Sequence, residues 1–140
     1  MGFLMMKFLT NVAKISFPTK RKEVSSLSIL EEGVVPFSIK RVFTINTEES
    51  CKRGFHAHKE CTQLLVCLTG KCIVNCDDGQ KRQSFILNTA AEGLLIPPSI
   101  WAEQEYEPNT ILMVLTSHLY DESDYIREYD QFLQYRKNLK

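Results

Sequence analysis

From about residue 27 to residue 116 the chain is a succession of short apolar runs rich in β-branched residues, each closed by a turn signal. IKRVFTI, TQLLVCL, KCIVNC, QSFIL, GLLIP and TILMVLT are six such runs, and no helical period separates them. Asp78-Gly79, between KCIVNC and QSFIL, is a hairpin signal, because glycine supplies the positive φ that a tight turn needs. Gly70 and the 93–98 segment mark further turns or strand entries. Many closely spaced strands predict an all-β chain folded as an antiparallel sandwich or barrel. With 140 residues and no internal repeat or Gly/Ser linker, the pattern predicts one domain over 1–140, its barrel over about 27–118.

The tail differs. YDESDYIREYDQFLQYRKNLK places apolar or aromatic residues at 125, 126, 129, 132, 133 and 135, close to helical spacing. This predicts a short C-terminal helix over about 123–138, beginning near Asp124 and capped by Ser123. It is expected to pack on the barrel and to take no part in chemistry.

Charge excludes some partners. Seventeen Lys and Arg balance seventeen Asp and Glu, which leaves no basic field to hold nucleic acid. The strands and tail also leave no segment for a helix-turn-helix. The opening MGFLMMKFL is apolar but interrupted by Lys7, too short to cross a bilayer, and is expected to be a terminal strand or a docking segment. Five cysteines without a Cys-x-x-Cys pair, most of them inside apolar runs, predict buried reduced thiols and a cytoplasmic protein.

Chemistry concentrates in RGFHAHKECTQLLVCLTG, residues 53–70. In a strand, residues two apart share a face, so His56 and His58 point the same way, with Gln63 on the next strand able to face the same interior. The pair resembles the first motif of the cupin superfamily. A metal-binding cupin adds a carboxylate and a later histidine, but here Gln63 and Ala102 stand where those ligands belong. No metal is therefore expected, because catalytic metals usually keep three protein ligands. The two imidazoles can be satisfied core groups, donors to an anion, or a general base. Arg53 and Arg41 add permanent positive charge that can face a phosphate or an enediolate.

PFSIKRV (36–42), RGFHAHKECTQLLVCLTG (53–70), DDG (77–79), GLLIPPSIW (93–101) and YDESDYIREYDQF (120–132) occur in the order that marks one family. On these segments the chain resembles the cupin-fold nucleotide-sugar 3,4-ketoisomerases, the WxcM-like family. The resemblance implies a cupin jelly-roll β-barrel that forms a homodimer, often by exchanging N-terminal strands. It implies action on a dTDP-linked 4-keto-6-deoxyhexose, whose carbonyl moves from C4 to C3 through an enediolate without any cofactor. The 3-keto product would then be aminated, giving a 3-amino-3,6-dideoxy sugar. By resemblance, His58 is the expected base, His56 a donor or second proton carrier, and Arg53 a partner of the oxyanion or diphosphate. Arg41, Gln63, Trp101 and Arg82 are expected at the substrate, with core packing the plain alternative for Trp101 and solvation for Arg82. The chain departs from the family at Phe43-Thr44, where a tyrosine is usual, and at Ala102, where a histidine is common. These departures keep open a second reading, a non-catalytic nucleotide-sugar binding module.

Overall fold

The computed structural model describes residues 9–139. Ten strands form two five-stranded sheets, antiparallel throughout. The first sheet runs in the order β1 (Ala13–Ser16), β9 (Glu92–Ile96), β6 (Gln63–Thr69), β11 (Thr110–Thr116), β4 (Arg41–Thr47). The second runs β12 (Tyr125–Ile126), β5 (Cys51–His58), β10 (Trp101–Tyr106), β7 (Cys72–Asp77), β8 (Arg82–Leu87). A separate hairpin, β2 (Thr19–Lys22) and β3 (Ser25–Ser28), joins neither sheet. The result is a jelly-roll sandwich whose two sheets stack without closing into a barrel.

Strand alternation sorts the side chains into three packed layers. Leu65, Cys67, Val74, Cys76, Leu94, Leu112 and Val114 fill the space between the sheets. On the outer face of the first sheet, Leu64, Val66 and Leu115 meet Phe17, Val35 and the 30–39 segment. Burial on both faces explains why TQLLVCL reads as a continuous apolar run rather than an alternating one. On the outer face of the second sheet, Ala57, Trp101 and Ile126 pack against Phe132 of the C-terminal helix α1 (Tyr129–Asn138). Phe132 is fully buried, which is worth about 2–3 kcal/mol and ties the tail to the sheet.

The six expected strands correspond to β4, β6, β7, β8, β9 and β11, and Gly79 takes the expected positive φ, 94°, in the turn after β7. Four cysteines are buried thiols, as anticipated, while Cys51 is exposed. The expected first-residue strand lies, except for Leu9, outside the described residues. The tail differs from expectation. Asp121, not Ser123, caps a short 3-10 turn over Glu122–Asp124, and Tyr125–Ile126 leaves the helix to pair with β5. Helical spacing across residues 125–135 mixed a strand pair with a later helix, because Ile126 is buried through β5 rather than through a helical face. No helix among the described residues is long and apolar enough to cross a membrane.

Candidate active site

A bulge builds the site. Ala102 of β10 pairs with His56, but the next residue, Glu103, pairs with Gly54, so Phe55 is an extra residue in β5. Gly54 and Phe55 both have positive φ, 94° and 54°. Without the extra residue, strand alternation would send Arg53 and His56 to opposite faces, whereas the bulge turns both inward. Glycine is required at 54 for a second reason. A Cβ there would lie 3.1 Å from the Ala102 carbonyl oxygen and 3.3 Å from the Gln104 carboxamide.

The inward side chains surround an open cleft of about 570 Å³ between the sheets, a size suited to a small-molecule ligand. Arg41, Phe43 and Gln63 line it from the first sheet, and Lys52, Arg53, His56, Gln104, Tyr125 and Arg127 from the second. Among the described residues no carboxylate lines it. Arg41 stacks its guanidinium over the Phe43 ring at 4.5 Å, and among the described residues neither Arg41 nor Arg53 forms an ion pair. Arg127 is held differently, by two bonds to Glu122 at 2.6 and 2.8 Å, with its guanidinium 4.2 Å over the Tyr125 ring. A wall with two unpaired guanidiniums and no acid is built for an anion.

His56 lines the cleft, and its Nδ1 lies 3.0 Å from the Gly54 carbonyl oxygen. A carbonyl only accepts, so Nδ1 carries the proton and Nε2 keeps its lone pair. His58 sits one step deeper, outside the cleft lining. Its Nδ1 is 2.9 Å from Asp124 Oδ2, and its buried Nε2 has no hydrogen-bond partner among the described residues. Asp124 is fixed in turn by the backbone N–H groups of Glu60 (2.8 Å) and Cys61 (3.4 Å). The two imidazoles meet edge to face at 5.1 Å, and the Tyr125 ring lies 5.0 Å from His56 and 4.4 Å from His58.

Burial pulls His56 down to about 4, helped by the neighbouring His58. Burial also lowers His58, opposed by its bond to Asp124. Both rings are therefore neutral near pH 7 and able to accept a proton. An anion entering the cleft raises that proton affinity through its charge.

Arg41, Arg53, His56 and Gln63 thus come together, with His58 directly behind them. Trp101 and Arg82 do not. Alternation along β10 turns Ala102 and Gln104 inward, so Trp101 faces out, donates to Glu103 at 2.8 Å and packs on Tyr129 and Phe132. Arg82, opposite Asp77 at the end of the β7–β8 pair, bonds Asp77 at 2.9 Å and Glu103 at 3.3 Å on that same outer face. His118 is exposed and bonds Ser117. Gln104, Asp124, Tyr125 and Arg127 were missed. Counting by twos from Ala102 finds Gln104, and the tail residues would have followed from reading YDESDYIR as a strand on the site. His58, Cys61 and Asp124 bring nitrogen, sulfur and oxygen atoms within 4.8 Å of one another, whereas at the cleft Gln63 offers only a weakly coordinating amide oxygen.

Residues 10–137 match the model of the family described as FdtA: WxcM-like, C-terminal. A TDP-4-oxo-6-deoxy-alpha-D-glucose-3,4-oxoisomerase from Aneurinibacillus thermoaerophilus is 47% identical over 113 residues, 79% of this chain and 81% of that one. The sugar 3,4-ketoisomerase QdtA from Thermoanaerobacterium thermosaccharolyticum, solved with TDP, superposes with a TM-score of 0.86 at 35% identity, covering 93% of this chain and 97% of that one. A mutant of QdtA was solved with TDP-4-keto-6-deoxyglucose. A 3,4-ketoisomerase from Helicobacter canadensis gives a TM-score of 0.87 at 37% identity, over 91% of this chain and 98% of that one.

Proposed function

The chain belongs to the FdtA family, WxcM-like, C-terminal, and on that premise we propose that it is a 3,4-ketoisomerase of TDP-4-keto-6-deoxyglucose. One observation carries the reading. The acid-free cleft with unpaired Arg41 and Arg53 ends at a neutral histidine, backed by a second histidine on a carboxylate. The arginines suit the diphosphate, and the two imidazoles suit a reaction that only moves protons.

The C4 ketone acidifies the proton on C3. His56, in the cleft wall with Nε2 unprotonated, is the base that takes it. We take His56 rather than His58 as the base because His56 lines the cleft, whereas the unpartnered Nε2 of His58, just behind it, is left to serve the two oxygens. The electrons of the broken C3–H bond form the C3–C4 double bond, and the C4 oxygen takes the negative charge. The guanidinium groups lining the cleft are placed to stabilise that enediolate. His58 then accepts the proton of the C3 hydroxyl and returns one to the C4 oxygen. Asp124 favours this by holding the imidazolium while it lasts. A proton delivered to C4 completes the exchange, leaving a carbonyl at C3 and a hydroxyl at C4, with no net change in electrons. Phe43 and Ala102 face the interior without a transferable proton, which favours the alternative of a non-catalytic binding module.

Two variants in deuterated water separate the readings. His56→Asn should abolish exchange at C3 and product formation together, with TDP affinity kept. His58→Asn should retain exchange at C3 yet lose product. Full turnover by His56→Asn would remove His56 from the base position.

We further propose a homodimer. The β2–β3 hairpin stands off both sheets with Val24 97% and Leu27 60% exposed, a surface for a second copy. Sedimentation velocity checks it, and a monomer at micromolar concentration would refute it. The four buried thiols support a cytoplasmic location.

A further inference from the structure

The isomerase reading leaves one proton without a donor, the one that C4 receives. Its source must line the cleft, carry a transferable proton, and be free to point that proton at the sugar. The arginines are poor candidates, because a guanidinium does not give up its proton in proteins, and Lys52 sits exposed near the start of β5, four residues from His56. Direct return of the C3 proton from the His56 imidazolium to C4 is the competing route that the test below must exclude, and His58 is engaged with the two oxygens.

The five tyrosines sort themselves by what their hydroxyls do. Tyr106 donates to Gln104, Tyr120 to Glu122 and Tyr129 to Asp77. Tyr135 packs in the cluster beneath α1. Tyr125 alone among them lines the cleft, and its hydroxyl makes no hydrogen bond to another described residue. Its backbone is fixed by pairing with His58, which places its ring against both imidazoles, 5.0 and 4.4 Å away. Arg127, pinned by Glu122, covers the ring from above. The ring is thus locked in place while its hydroxyl stays available, as a positioned acid requires. The facing wall presents Phe43, which has no hydroxyl to compete.

We propose that Tyr125 is a catalytic residue of the isomerisation, the acid that delivers its phenolic proton to C4. As the C3 hydroxyl collapses to a carbonyl, the double-bond electrons of the enediol form the new C4–H bond with that proton. The phenolate is then reprotonated from the imidazolium of His56, which restores both groups and closes the cycle without an outside reactant.

The assignment rests on the isomerase reading, and the test separates the two. Tyr125→Phe keeps the ring and its stacking but removes the proton. With TDP-4-keto-6-deoxyglucose in deuterated water, proton NMR follows two events in one sample: loss of the C3 proton from recovered substrate, and formation of the 3-keto product. The variant should bind TDP as the parent does and exchange C3 within about three-fold of the parent. Its product formation should fall by roughly 100-fold or more. Unchanged product formation overturns the assignment, as does an equal fall in both events, which marks a structural role. A parent protein that binds TDP and does neither overturns the isomerase reading, and this assignment with it. Should Tyr125→Phe fail to bind TDP, 3-fluorotyrosine at 125 replaces it. The more acidic phenol should move the alkaline limb of product formation to lower pH, and an unmoved limb overturns the proposal.

Discussion

Replacing Asp124 by Asn tests whether the tail is part of the machinery. Asparagine is nearly isosteric, and its Oδ1 can still accept from the Glu60 N–H that lies 2.8 Å from the carboxylate. Its amide nitrogen then faces His58 Nδ1, which must become an acceptor. The His58 proton moves to Nε2, so the ring can give a proton where it needs first to take one. Wrong-tautomer effects and the loss of a general base cost about 10²–10⁴-fold in rate, and kcat should fall in that range. The bonds to His58 and to the Glu60 amide become neutral ones and the Cys61 N–H, which faces Oδ2, loses its acceptor, so the fold should lose about 1–3 kcal/mol. TDP affinity should stay within two-fold, because Asp124 does not line the cleft. Kinetics, urea denaturation and calorimetry read the three quantities. An Asp124→Asn protein that folds and keeps kcat within three-fold of the parent would refute the role given to the His58–Asp124 pair.

Other outcomes follow from the same geometry. Arg53→Ala should weaken TDP binding roughly 10- to 100-fold by calorimetry, the worth of charge-assisted bonds to a diphosphate. Arg82→Ala, on the outer face, should leave TDP affinity and kcat unchanged and cost about 1–3 kcal/mol of stability, because the buried Asp77 carboxylate loses its cation. Stability should fall on acidification. Unfolded chains take up the His56 proton below pH 6.5, while the folded protein refuses it until about pH 4. At about 1.4 kcal/mol per pH unit, His56 alone removes roughly 3 kcal/mol across that window, and His58 acts in the same direction. Urea titrations at pH 7 and 4.5 should show the loss, and His56→Gln should flatten it. Turnover should survive exhaustive chelation, and activity lost to a chelator and restored by one divalent metal would contradict that.

Strands with strong β-branched character were legible because burial on one or both faces selects such residues. WAEQEY of β10 was not, since Glu103, Gln104 and Glu105 break the apolar run, although Ala102 and Tyr106 pack in the core and Gln104 lines the cleft. The hairpin β2–β3 was equally hidden, because exposed strands such as TKRK carry no core signal. At the site, the HAH pair and its arginines were readable from spacing, but the bulge that unites Arg53 with His56 showed only as Gly54 within a strand. Trp101 misled because a large aromatic suits a ligand wall and a helix-docking face equally, and only register decides between them. The tail misled most. A segment taken for plain packing supplies Asp124, Tyr125 and Arg127, because two residues of it add a strand beside the histidines.

The central claim is that this cleft moves a proton from C3 to C4 of a nucleotide-linked ketosugar, and one measurement addresses it directly. The protein is incubated with TDP-4-keto-6-deoxyglucose in deuterated water and followed by NMR. The account predicts a 3-keto product carrying deuterium at C4, because Tyr125 and His56 line a cleft open to solvent and exchange their protons before delivery. Recovery of unchanged, undeuterated substrate from a protein that demonstrably binds TDP would contradict it, and would make the cleft a binding site without chemistry.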